Sequence, residues 1–121
     1  GWNGDTNNAF SASGRTEMQK QYFDFSKKLL NWRKSKSVIH SGKLTHYIPE
    51  NNVYIYFRHN DKETVMVVIN NAPDTQNLNL TRFQENIKSF TLGNDILSGK
   101  TIDLKNGLSI EGKTSMILEL K

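Results

Sequence analysis

Near Ser35 the spacing of apolar residues changes from a helical period to a period of two, and this switch constrains the fold more than any other feature of the chain. Ahead of it, Lys28-Leu29-Leu30-Asn31-Trp32-Arg33-Lys34 closes a long amphipathic helix whose pattern starts near Thr16. Thr16-Glu17-Met18-Gln19 reads as a capping box, with the Thr16 hydroxyl and the Gln19 side chain placed to satisfy orphan backbone N–H groups. At about 100° per residue, Met18, Tyr22, Phe25, Leu29 and Trp32 form one apolar stripe, and Phe23 and Leu30 form a second. Lys20, Asp24, Lys27, Lys28, Asn31 and Lys34 take the opposite side. A helix lying on one layer needs one stripe, so two stripes predict two packing partners. Tyr22, Phe23, Phe25, Leu29, Leu30 and Trp32 are the expected interdomain contacts.

Beyond the switch the chain reads as short strands. Residues 37–41 and 44–48 flank Gly42 and predict a hairpin. Val53, Ile55 and Phe57 alternate with Tyr54, Tyr56 and Arg58, and the almost wholly apolar 64–70 follows a turn, so these two are expected to be central strands. Further strands are predicted at 76–80, 89–92, 95–97, 100–104, 108–111 and 114–120, separated by Gly93, Gly99, Gly107 and Gly112. Residues 81–87 predict one or two helical turns with Phe83 and Ile87 facing inward. The spacing points to a mainly β fold, an antiparallel sandwich preceded by one long α-helix. Its expected organisation is a polar loop over 1–15, the helix over 16–35 and the sandwich over 36–121.

Composition narrows the function. Of 121 residues, 36% are hydrophobic, but they are clustered in periodic runs, which argues for a folded chain. The longest apolar runs, 53–57 and 65–69, fall far short of the roughly 20 residues of a membrane helix. The net charge of +4 is concentrated in Lys27, Lys28, Arg33, Lys34, Lys36 and Lys43, in or just after the helix. These read as a solvated face, because nucleic-acid binding needs exposed aromatics among the charges and this helix turns its aromatics to the apolar side. There is no cysteine, hence no disulfide and no thiolate chemistry. Gly1-Trp2-Asn3-Gly4-Asp5 lacks the features of a signal peptide, although a truncated chain would have lost one, so the location stays open.

Chemistry-bearing constellations are sparse. A glycosidase needs two facing carboxyl groups on rigid supports. Glu50, Asp61, Glu63, Asp74, Glu85, Asp95, Asp103 and Glu111 fall mainly in predicted turns or strand ends, where solvation is expected, so no catalytic pair is predicted. His40 and His46 would lie on facing arms of the predicted hairpin, but with His59 they show no ligand spacing, and neither metal nor cofactor is expected. No serine sits in a Gly-x-Ser-x-Gly elbow. Asn79-Leu80-Thr81 matches the glycosylation sequon, a pattern too short to carry weight. Tyr54 and Tyr56 share one strand face and would either stack on sugar rings or pack beneath another element. Trp2 lies in a loop rich in Gly and Asn, where a buried anchor and a ligand contact are both open readings.

Several segments together resemble the end of an α-amylase superfamily enzyme (glycoside hydrolase family 13), of the cyclomaltodextrinase and neopullulanase-like group. They are Gly1-Trp2-Asn3-Gly4-Asp5 with Asn8-Ala9-Phe10, Gly14-Arg15-Thr16, Leu29-Leu30-Asn31-Trp32-Arg33-Lys34, Val38-Ile39-His40-Ser41-Gly42, His46-Tyr47-Ile48-Pro49, 53–58 and Asp95-Ile96-Leu97-Ser98-Gly99-Lys100. The resemblance implies a Greek-key C-terminal sandwich that packs on a catalytic (β/α)₈ barrel of the same parent chain. Residues 16–35 would then be the last barrel helix and 1–15 a loop left over from the barrel, with Trp2 and Asp5 bordering the substrate cleft. The parent would act on α-glucans, maltodextrins or cyclodextrins, in the periplasm or outside the cell. Its catalytic acids would lie on earlier barrel strands, and no segment here matches the motifs that hold them. The sandwich would be structural, with α-glucan binding through Tyr54 and Tyr56 as the alternative. An uncovered apolar stripe also predicts self-association through the helix, to be seen as a molar mass that rises with concentration in light scattering; a monomer at high concentration is the contrary result.

Overall fold

The apolar run 65–69 has no polar side to offer water, and it becomes the interior strand of the main sheet. A computed structural model describes residues 17–87 and 89–121. The elements are α1 (Glu17–Ser35), α2 (Ser37–Ser41), β1 (Lys43–His46), β2 (Val53–His59), β3 (Thr64–Asn70), β4 (Gln76–Leu78), a 3₁₀ turn (Thr81–Phe83), α3 (Gln84–Ile87), β5 (Leu92–Asp95), β6 (Thr101–Asp103), β7 (Leu108–Ile110) and β8 (Thr114–Leu120). The chain forms two compact units, divided between Ser35 and Lys36.

In the first unit α1 runs to Ser35, with Arg33 and Lys34 in its last turn, where positive charge complements the exposed carbonyl end of the helix. The Ser35 hydroxyl donates to the Trp32 carbonyl at 2.8 Å. Leu29 and Trp32 are half-buried and Leu30 is 56% exposed. The expected capping box and the side chains of Tyr22, Phe23 and Phe25 lie outside the described residues.

The second unit is a two-layer sandwich. Its six-stranded antiparallel sheet runs β1-β2-β3-β8-β5-β6, and a two-stranded sheet pairs β4 with β7. After β3 the chain leaves for the second layer, returns for β5 and β6, crosses again for β7, and inserts β8 between β3 and β5, a Greek-key arrangement. Alternation along β2, β3 and β8 sends Val53, Ile55, Phe57, Met66, Val68, Leu118 and Leu120 to one side. There they meet Leu80, Phe83, Ile87, Leu104, Leu108 and Ile110 from the covering layer, and all are buried. The helical turns predicted at 81–87 form, with Phe83 and Ile87 pointing into this core.

Local chemistry explains the hairpins. Asn51 and Asn52 both hold positive φ, 52° and 63°, in a two-residue turn closed by paired hydrogen bonds between Glu50 and Val53. Asparagine tolerates that region, and such a turn matches the twist of the strands it joins. At the β2–β3 turn the side-chain Oδ1 of Asn60 accepts from the backbone N–H groups of Lys62 and Glu63 at 2.9 and 2.8 Å.

Three strand assignments are corrected. Residues 37–41 form α2 rather than one arm of a hairpin. The Gly42 N–H donates to the Val38 carbonyl at 2.9 Å, and a Cβ at Gly42 would stand 2.2 Å from that carbonyl and 3.0 Å from the His59 carbonyl. Only glycine lets the chain pass that closely, so the β-branched Val38 and Ile39 are overridden by a local turn. The predicted strands 89–92 and 95–97 resolve into the single β5, followed by a turn.

Between the layers lies Asn70, 1% exposed. Its Nδ2 group donates to the carbonyls of Asp74 (3.0 Å), Ile110 (3.2 Å) and Glu111 (3.0 Å), and its Oδ1 accepts from the Ala72 N–H at 2.9 Å. Removing the amide takes the donor from the buried Ile110 bond and from two part-buried ones, so Asn70→Ala is expected to cost about 3 kcal/mol in urea unfolding. Asn70→Asp should cost at least as much at neutral pH, because a carboxylate facing three carbonyls has no proton to donate. An unchanged urea midpoint for Asn70→Ala would show that the clamp is dispensable.

Candidate functional site

The alternation that fills the core also composes the outer face of the six-stranded sheet. Paired residues of an antiparallel sheet share a face. One row across it is His46, Tyr56, Val67 and Ile117, and the next is Tyr54, Ile69 and Ser115. A third row runs Leu44, Arg58, Val65, Glu119, Asn94 and Thr101. The centre of this face is therefore apolar and aromatic, and one margin is charged. Val65 and Val67 are buried, Ile69, Ile117, Tyr54 and Tyr56 half-buried, and Leu44 43% exposed.

His46, Tyr54 and Tyr56 form one cluster. Ring centroids lie 5.7 Å apart for His46–Tyr54, 5.6 Å for His46–Tyr56 and 5.8 Å for Tyr54–Tyr56, with the two tyrosine planes inclined by 59°. The Tyr54 hydroxyl is hydrogen-bonded to His46 Nδ1. Cross-strand contacts of this kind each contribute about 0.2–1 kcal/mol to the sheet. At the charged margin Lys36, the first residue after α1, places its Nζ 3.5 Å from Glu63 and 3.4 Å from Glu119. The groups are only partly shielded, so this clasp positions the chain more than it stabilises it.

The loop between β1 and β2 is held by Arg82, a residue without a recognisable motif and invisible to sequence reasoning. Its guanidinium donates to the Ile48 carbonyl at 2.7 Å and to Glu50 Oε1 at 3.1 Å, and lies 4.8 Å from the Phe83 ring centre. Tyr47 packs edge-on against Phe83, centroids 4.7 Å apart, and donates its hydroxyl to Asn86 Oδ1 at 2.5 Å. Ile48 is left 80% exposed at the tip.

The other candidates fall in different places. Trp2 and Asp5 lie outside the described residues. His40 sits exposed on α2 rather than on an arm facing His46, and His59 pairs with Thr45 at 2.9 Å. No cluster of three or more metal-ligating side chains occurs among the described residues, and none of the described helices is long and apolar enough to cross a membrane. Asp95 corrects the expectation of solvated carboxylates: it is 4% exposed. Its Oδ1 accepts from the N–H groups of Leu97 (3.1 Å) and Ile117 (3.3 Å), and its Oδ2 from the Ser98 hydroxyl (2.8 Å). These bonds tie the β5 turn to β8 and occupy the carboxylate structurally.

Together these features define an antiparallel two-layer β-sandwich with a Greek-key crossover and a broad apolar outer face. The family described as the Cyclo-malto-dextrinase C-terminal domain matches residues 44–119, and the chain belongs to that family. Among solved structures, the fold is similar to that of an α-amylase from Geobacillus thermoleovorans complexed with acarbose (TM-score 0.71, 20% identity) over 88% of this chain and 24% of that one. It is also similar to an Anoxybacillus α-amylase (TM-score 0.74, 22% identity, 88% and 23% covered). A third likeness is to trehalulose synthase from Pseudomonas mesoacidophila MX-45 (TM-score 0.65, 20% identity, 82% and 18% covered). The chain thus spans about a quarter of the length of these proteins, or less.

Tyr47 gives this region a measurable signature. Burial first, then the nearby Glu85 carboxylate, raises its phenol above the ordinary value of 10.0, against the opposing pull of Arg82. A raised folded-state pKa contributes stability that is complete below the unfolded pKa and is lost as pH climbs through the folded value. Tyr47→Phe should cost about 1 kcal/mol at neutral pH. The gap between the two proteins should narrow above about pH 10, as followed by urea unfolding; a gap independent of pH would contradict this account.

Proposed function

We propose that this domain is the structural C-terminal module of a glycoside hydrolase acting on α-glucans, maltodextrins or cyclodextrins, and that its outer sheet face docks on the catalytic (β/α)₈ barrel of the same parent chain. In this reading the module itself hydrolyses nothing, α1 is the last helix of the barrel, and the segment carrying Trp2 and Asp5 borders the substrate cleft. The observation that carries the proposal is the outer face: Tyr54, Tyr56, Val67, Ile69 and Ile117 make a continuous apolar centre beside a charged margin. Such an arrangement is the anatomy of an interface, an apolar core with a polar rim. Membership of the cyclomaltodextrinase C-terminal family supports the α-glucan class of the parent.

The tyrosine pair favours packing over sugar stacking. The two rings are inclined by 59° and present no common plane, and the Tyr54 hydroxyl is already engaged by His46. Docking fixes the barrel's outer surface and resists its local opening. The test is a paired substitution on the face, Ile69→Lys with Ile117→Lys. Both residues are half-buried, so the chain's own stability should fall by about 1 kcal/mol or less per site. Its capture of the separately expressed barrel should be lost, whereas undiminished capture by the variant would rule out this face as the docking surface.

A further inference from the structure

We infer that the covering layer carries a second carbohydrate contact, a shallow amide-lined cleft that takes a segment of neutral α-1,4-glucan. The choice of glucan rests on the α-glucan reading of the parent; the cleft itself does not. A cavity of about 380 Å³ opens between the end of β4, the 3₁₀ turn and the β6–β7 turn. That volume is at the small end of the range typical of small-molecule sites. No residue lining it belongs to the outer face of the six-stranded sheet, so it remains open when that face is covered.

The cleft has the chemistry of a polyol site. Its floor is aliphatic, formed by the buried Leu80 and Leu104. Around the rim stand Asn77, Gln84 and Asn106, all exposed, and among the described residues their side-chain amides make no hydrogen bond. Each amide carries both donors and an acceptor, the pairing that neighbouring sugar hydroxyls require. Lys105 supplies the one formal charge of the lining, and with no second charged side chain beside it the cleft is not built to clamp a charged ligand.

The rim is held in place before any ligand arrives. Asp103 Oδ1 accepts from the Lys105 N–H at 2.8 Å, setting the turn that presents Lys105 and Asn106. Gly107 follows with φ of 99°, and a Cβ there would stand 2.6 Å from the Leu78 carbonyl. Glycine therefore lets the turn close against β4. Across the cleft, Asn79 Oδ1 accepts from both the N–H (2.9 Å) and the hydroxyl (2.5 Å) of Thr81, which fixes the approach to the 3₁₀ turn. Pre-organised walls reduce the ordering cost that normally defeats shallow sites.

The experiment is a ¹⁵N–¹H titration of the 121-residue chain with maltoheptaose, with cellohexaose as the control for linkage. Saturable shifts of the Asn77, Gln84 and Asn106 side-chain amides are expected with maltoheptaose and not with cellohexaose. Replacing all three by alanine should weaken binding about tenfold or more, because each lost hydrogen bond contributes a fraction of that factor, and should leave the melting temperature unchanged. Absence of saturable shifts overturns the proposal and leaves the docking of the outer face untouched. Shifts centred on Tyr54 and Tyr56 overturn it by moving the sugar to the outer face, which would also contradict the docking reading. Equal response to cellohexaose overturns the assignment to α-glucan. The wild-type shift map decides between these outcomes even if the triple variant does not fold.

Discussion

The Asn70 amide is the point at which two separate sheets become one domain. β3 ends where the chain must leave the six-stranded sheet, and the carbonyls of Ile110 and Glu111 arrive there from the other layer. A buried carbonyl left without a donor is costly, and the Ile110 bond is fully buried. One side chain meets them and also accepts from Ala72, so the departure of the chain and the docking of β7 are fixed together. Hydrophobic burial drives the layers together but is indifferent to their register; this clamp is directional and selects one arrangement.

Asp95 plays the same part at the other end of the crossover. Strand β8 must slide between β3 and β5, and its 23-residue separation from Asp95 in sequence means nothing local guides it (Asp95 to Leu118, 118 − 95 = 23). The carboxylate accepts from the Ile117 N–H while its other oxygen holds Ser98, so the turn after β5 and the position of β8 are set by one group. The cost of burying a charge is offset by several donors, as a buried carboxylate requires. With these two polar anchors in place, the alternating residues of β2, β3 and β8 can supply one apolar inner face and one apolar outer face without ambiguity of register.

The parts of this architecture legible in the sequence are those governed by periodicity. The strands at β2, β3 and β8 follow from alternating or continuous apolar runs, and Phe83 and Ile87 turn inward at a four-residue spacing. The segment 37–41 reads as a strand in the sequence because Val38 and Ile39 favour extended structure, while the close passage at Gly42 that decides for a helical turn involves His59, far along the chain. Asp95 looks like a solvated carboxylate, and nothing in the sequence marks Asn70 as a clamp, because their partners are backbone groups from distant segments, which carry no side-chain signature. Arg82 and the amides of the cleft share that difficulty: Asn77, Gln84 and Asn106 come from three different elements, and each by itself reads as an ordinary polar surface residue.

The same two-layer construction divides the surface into parts with different physical capacities. The outer sheet face is apolar because β3, placed at the centre, is apolar on both sides, and an apolar face of that breadth has the character of an interaction surface. The covering layer is built from β4, β7 and short turns, and its cleft is lined mainly by amides above the buried Leu80 and Leu104. Water is easily displaced from such a rim only by a ligand that returns its hydrogen bonds, which selects for neutral hydroxyl-rich molecules over apolar ones. A module of this kind can be held by one face and still meet a carbohydrate with the other, and that division follows from the placement of one apolar strand in the middle of the sheet.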